Sequence, residues 1–154
     1  MKKNFLKFFT CTFVTIAVVS CKTSTVDPAA ATTNNTTTSG LTTTLTSGTW
    51  VIGSFTQKTE DKTSKFAGYS FVFSADGKVT VSKDGKQTSG TWQYTPAVTY
   101  YGATSKEAID LSVGADKPLS QLTRKWNFIS STATSMKVDN PEILEEEHLL
   151  FNKK

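Results

Sequence analysis

The sequence predicts an all-β fold: a small eight-stranded antiparallel up-and-down barrel over residues 47–154, with a β-sandwich as the alternative. Three observations carry this reading. From Ser47 onward, short apolar runs alternate with polar residues at the period of two that turns one strand face inward. Asp76-Gly77 and Asp84-Gly85 stand between such runs, and an Asp-Gly pair suits a tight hairpin because both residues tolerate positive φ. No stretch of this region keeps a helical period beyond a short turn at 119–123.

The strands follow in order. Trp50, Ile52 and Ser54 share one face of the first, and Tyr69, Phe71 and Phe73 one face of the second. Val79 and Val81 mark the third, so the two Asp-Gly turns give a three-stranded meander. Trp92 and Tyr94 lie on the fourth, which stops at Pro96; Ile109, Leu111 and Val113 lie on the fifth, which stops at Gly114. Trp126 and Phe128 mark the sixth, Met136 and Val138 the seventh, and Leu149 and Phe151 an eighth running near 147–152. Closing these strands into a barrel removes unpaired edges. A two-sheet sandwich is the other arrangement the spacing allows.

The chain opens differently. Lys2, Lys3 and Lys7 precede an uncharged run from Phe8 to Val19, and the small residues Ser20 and Cys21 end it. Charge, apolar core and small residues in that order make a secretory signal over 1–20, shorter than the roughly 20 apolar residues of a membrane helix. Val18-Val19-Ser20-Cys21 resembles the lipobox of bacterial lipoproteins. The resemblance implies cleavage between Ser20 and Cys21 and a diacylglycerol thioether on the Cys21 thiol, with the new amine acylated, so that palmitate-type chains hold the protein to a membrane. Several acyl chains anchor durably where one holds marginally. Lys22, where the resemblance implies that Asp would retain the protein at the inner membrane, points to the outer membrane of the cell envelope.

Cleavage also reshapes the composition. The formal charge is +4, but three of the 17 basic residues leave with the signal, so 14 face 13 acidic ones, a net of about +1. The remaining lysines are scattered rather than clustered, which argues against nucleic-acid binding. Cys11 leaves and Cys21 is acylated, so the folded part has no thiol for a disulfide, a CxxC motif or a zinc site. Residues 22–46 are Thr, Ala, Asn and Ser with almost no large apolar side chain, and 21–46 is expected to be a flexible tether. The domain is expected to be a monomer.

Gly48-Thr49-Trp50 at the head of the first strand resembles the G-x-W motif of lipocalins. Phe66-Ala67-Gly68-Tyr69 closing a long first loop, the second Gly-Thr-Trp at 90–92, and Pro118-Leu119 before Trp126 extend the likeness to small bacterial lipocalin-like domains, over roughly 47–154. The resemblance implies that Gly48 and Trp50 mark the closed end of the barrel, Trp50 often lying under an Arg from the last strand. Here the last strand offers only Lys153 and Lys154, and the only Arg is Arg124. The long loops at 58–68, 114–123 and 139–145 share the opposite end, which is therefore the expected mouth, facing away from the membrane.

No constellation for catalysis stands out. His148 is the only histidine, beside Glu145, Glu146 and Glu147; it reads as a surface histidine and the Glu run as a solvated strand entry. No metal or cofactor is expected. Phe66, Tyr69, Trp92 and Trp126 are the candidates for a small apolar cup at the mouth, with Phe71 and Phe73 as core. Tyr100 and Tyr101 lie in a loop at the other end, either exposed or plugging it. The sequence therefore predicts a non-enzymatic, membrane-anchored lipocalin-like lipoprotein that binds a small hydrophobic ligand. The alternative is a structural or macromolecule-binding envelope lipoprotein whose barrel is filled.

Overall fold

A computed structural model describes residues 35–154. The signal at 1–20, Cys21 and the tether up to 34 lie outside the described residues. The described chain begins with a helix, α1 (Asn35–Thr46), and continues as strands β1 (Thr49–Gln57), β2 (Glu60–Asp61), β3 (Ser70–Phe73), β4 (Lys78–Lys83) and β5 (Lys86–Thr95). A small ribbon of β6 (Thr99–Tyr100) and β7 (Ala103–Thr104) follows, then β8 (Ala108–Ser112), β9 (Arg124–Ser131), β10 (Ser135–Asp139) and β11 (Glu147–Lys153). Short 3-10 turns occupy Thr63–Phe66, Leu119–Leu122 and Ile143–Glu145.

Eight of these strands form the barrel: β1, β3, β4, β5, β8, β9, β10 and β11, each antiparallel to the next in sequence order. The circle closes where β11 pairs with β1, from Trp50 opposite Lys153 to Gln57 opposite Glu147. The fold is the expected closed antiparallel barrel. Both Asp-Gly hairpins form: Asp84 and Gly85 take φ of 48° and 77°, and Gly77 takes 80°.

Two sequence expectations are corrected here. The tether does not reach residue 46, because α1 occupies Asn35–Thr46 and belongs to the domain, whose boundary at 47 moves back accordingly. Leu41 and Leu45, one helical turn apart, are buried in the barrel core. Their burial contributes about 1.5–3 kcal/mol each, enough to hold a Thr-rich segment that would be a poor helix alone. Within the helix, the Thr44 and Thr46 hydroxyls donate back to the carbonyls of Gly40 and Thr42 at 2.9 Å.

The second correction concerns β1. Trp50 is buried and Ile52 packs on the core, but Ser54 does not share their face; the buried residue is Phe55. A bulge between Ile52 and Ser54 inserts Gly53 and shifts the alternation by one. A Cβ on Gly53 would stand 2.2 Å from the Asn152 side-chain amide nitrogen, so a larger residue there would require that side chain to move.

Candidate functional site

The two ends of the barrel differ. At the end where β1 begins, α1 lies across the opening, and the Trp50 indole donates to the Leu45 carbonyl at 2.9 Å. Lys153 sits 5.8 Å from the Trp50 ring centre, where the lipocalin resemblance implies an Arg. The Lys153 ammonium donates to the Ser47 hydroxyl at 3.0 Å, and a Cβ on Gly48 would meet Lys153 Cε at 2.7 Å. Gly48, at φ 135°, thus leaves the path that Lys153 takes over Trp50.

At the other end, the loops fold into the barrel rather than around a cup. The turn at Thr63–Phe66 drives Phe66 inward, where its ring meets Phe55 edge-on at 5.3 Å. The turn at Leu119–Leu122 buries both of its leucines, and the Leu122 carbonyl accepts from the Trp126 indole at 3.0 Å. Trp126 is fully buried, with its ring 6.3 Å from Phe55. Phe71, Phe73 and Phe151 fill the layers below, edge to face at 5.6 and 6.1 Å.

The four expected cup residues therefore do not line one space. Phe66, Tyr69 and Trp126 share the loop-rich end, but Phe66 and Trp126 are packing. Tyr69 borders a surface cleft of about 400 Å³ with Val81, Thr88 and Leu119, and Lys83 lies over its ring at 4.6 Å. Trp92 is at the opposite end. It packs on Phe73, and its indole donates to the Ser74 carbonyl at 2.9 Å, beside the tight β3–β4 turn. The reason is strand length: β5 begins at Lys86, so Trp92 is already well along it.

The Glu run is also corrected. Glu145 and Glu146 are exposed, but Glu147 is 2% exposed and sits among polar partners. Its Oε2 accepts from Arg124 and from Asn140 at 2.7 Å, and its Oε1 accepts from Gln57 at 3.0 Å. Lys62 donates in turn to the Gln57 side-chain amide oxygen, Oε1. Gln57 ends β1, Arg124 begins β9, Asn140 follows β10 and Glu147 begins β11, so one carboxylate ties four strand ends together at the loop-rich rim. Arg124 also lies 5.8 Å from the Trp126 ring centre. A readable signal existed: Glu147, Leu149 and Phe151 share one period-two face, so the first should point inward with the other two. His148 points out instead, its Nδ1 2.7 Å from Asp139 Oδ1. Among the described residues, no three His, Cys, Asp or Glu side chains converge as a metal site would need.

Fold and rim together define the class: a closed eight-stranded antiparallel barrel of lipocalin type with a packed interior. The crystal structure of a DUF4847 family protein from Bacteroides vulgatus has a similar fold, with a TM-score of 0.53 at 16% sequence identity, over 75% of this chain and 98% of that one. No family model matches the sequence. No curated protein matches it either.

Proposed function

We propose that this protein is a lipoprotein of the bacterial envelope, held to a membrane through Cys21, that works through its outer surface and carries no small molecule inside its barrel. The observation behind this choice is the interior itself. Phe55, Phe66, Phe71, Trp126 and Phe151 meet edge to face where a carrier would hold its ligand. An eight-stranded barrel is just wide enough for side chains to fill, and these side chains fill it. In this reading the protein has no catalytic role: the one deeply buried carboxylate among the described residues, Glu147, is occupied with holding strand ends. The charged and apolar segment ending at Cys21 supports the anchor, and Lys22 supports the outer membrane as its location.

Native mass spectrometry of protein purified from its host tests the barrel. The expected spectrum contains the polypeptide and its acyl chains alone. A stoichiometric extra mass released by organic solvent from Cys21→Ser protein, which has no acyl chains, would restore the carrier. The anchor is tested by fractionation: Cys21→Ser should leave the membrane pellet, and a variant that stays there refutes lipidation.

A further inference from the structure

We propose that the β6–β7 ribbon is a lipid-surface contact, with Tyr100 and Tyr101 resting in the headgroup region of the membrane that holds Cys21. This rests on the lipoprotein reading above and adds to it how the domain meets the bilayer. The ribbon stands apart from the barrel sheet and is stapled internally. Thr99 pairs with Thr104, their hydroxyls are 2.8 Å apart, and Val98 and Ser105 exchange two hydrogen bonds of 2.9 Å. Its tip is aromatic and exposed: Tyr100 is 72% and Tyr101 93% accessible, and their rings touch each other at 4.3 Å.

The backbone makes that tip more telling. Tyr101 takes φ 48° and Gly102 φ 80°. A two-residue turn of this kind favours Asn or Asp at its first position, and a bulky ring there is strained. The strain is not offset by burial within the domain, because Tyr101 is the most exposed of the large apolar side chains in the described residues. Tyrosine combines an apolar ring with a polar hydroxyl, the pairing favoured at membrane–water interfaces.

The position is also right. β5 leaves the barrel at Thr95 and β8 re-enters at Ala108, both at the end that α1 covers. The helix runs from Leu45, beneath Trp50, back to Leu41, which shares a groove of about 520 Å³ with Ala97, Lys106, Phe128 and Ile129 at the ribbon's base. Residues 22–34 join Cys21 to the start of that helix and reach at most about 45 Å fully extended. The helix at which the tether joins the domain and the ribbon thus lie at one end of the barrel, and a tether of that length lets this end meet the membrane. Lys106 and Glu107 border the ribbon's base together, so charge is balanced there and does not oppose an anionic headgroup surface. The exposed pair Ile143 and Leu144 at the far end is flanked by Glu142, Glu145 and Glu146, which such a surface repels.

The test uses the full-length protein, processed by its host and reconstituted in vesicles of phosphatidylcholine and phosphatidylglycerol. With Cys11 removed and Cys21 acylated, Tyr101→Cys supplies the single reactive thiol for an environment-sensitive fluorophore. Lys65→Cys at the far end is the control. Blue-shifted emission and quenching by brominated lipid at position 101, with neither at 65, is the expected result. A label at 101 that stays as wet as the control overturns the inference while the anchor stands, and so does one shielded only in native envelopes, which points to a protein or glycan partner. A chain that lacks acyl mass and does not bind vesicles overturns the anchor and the inference with it. Tyr100→Ser with Tyr101→Ser should leave thermal unfolding unchanged, showing that the rings serve no packing role.

Discussion

Replacing Glu147 with alanine should destabilise the domain by about 3 kcal/mol, although the sequence presents it as one glutamate among three. The estimate comes from its partners. Asn140 and Gln57 each lose a hydrogen bond to the carboxylate, at about 1 kcal/mol apiece. Arg124 loses its counter-charge; breaking a buried pair costs about 3–5 kcal/mol, but the Arg124 side chain is 32% exposed and water recovers most of that, leaving about 1. At about 4 °C per kcal/mol for a domain of this size, the melting temperature should fall by about 12 °C. Urea unfolding followed by tryptophan fluorescence measures the change directly. Removing both charges with shape kept, as Glu147→Leu with Arg124→Met, should recover about a third of the loss, the Arg124 share, because no unpaired charge is left behind while Asn140 and Gln57 still lack their acceptor. The reasoning fails if Glu147→Ala lies within about 0.5 kcal/mol of the parent, the range of an ordinary surface change. It fails equally if the double variant is no better than the single.

Leu45→Ala should cost about 3 kcal/mol and shift Trp50 emission to the red, since the leucine is buried and its carbonyl accepts from the Trp50 indole. An unchanged spectrum and midpoint would mean that α1 is not part of the folded unit. Two glycines should respond in opposite directions. A Cβ at Gly90 would stand 2.1 Å from the Ser112 carbonyl oxygen, so Gly90→Ala should destabilise by at least about 3 kcal/mol, whereas Gly40, within α1 and with nothing near its Cβ, should tolerate alanine with a gain of about 0.5–1 kcal/mol. Chemical denaturation of both variants checks the contrast. On acidification, Thr63 beside Asp61 and Lys78 beside Asp76 hold both carboxyls below their ordinary range. Their contribution is therefore complete above the unfolded value near pH 4 and fades as pH falls through the lower folded values, so Asp76→Asn should lower stability slightly at neutral pH, leave the acid end unchanged and thereby flatten the acid limb of a stability–pH curve.

The strands were legible because their information is local. Asp84-Gly85 fixes a turn by its own dihedrals, and runs such as Phe71-Val72-Phe73 state which side is inward. What was not legible depended on partners far along the chain. Leu41 and Leu45 are two apolar residues in a Thr-rich stretch, and only a barrel end waiting for them makes a helix there. Phe55 was missed because the Gly53 bulge breaks the alternation that would have pointed it inward. Trp92 was placed at the wrong end although Asp84-Gly85 marks the start of β5 at Lys86: six residues at about 3.3 Å each carry Trp92 across the barrel. The rim around Glu147 draws on residues from 57 to 147, and the cup failed as an expectation because Phe66 and Leu122 enter it from loops.

The pairing of β11 with β1 also acts as a proof of completeness. Trp50 finds its neighbour only at Lys153, so every strand between them must be present and in register before the circle shuts. Without β11 the sheet would keep two raw edges and a bare Trp50–Phe55 flank, a template for pairing with another chain. β11 is thus the strand on which closure rests: until it pairs with β1, the other seven barrel strands form an open sheet.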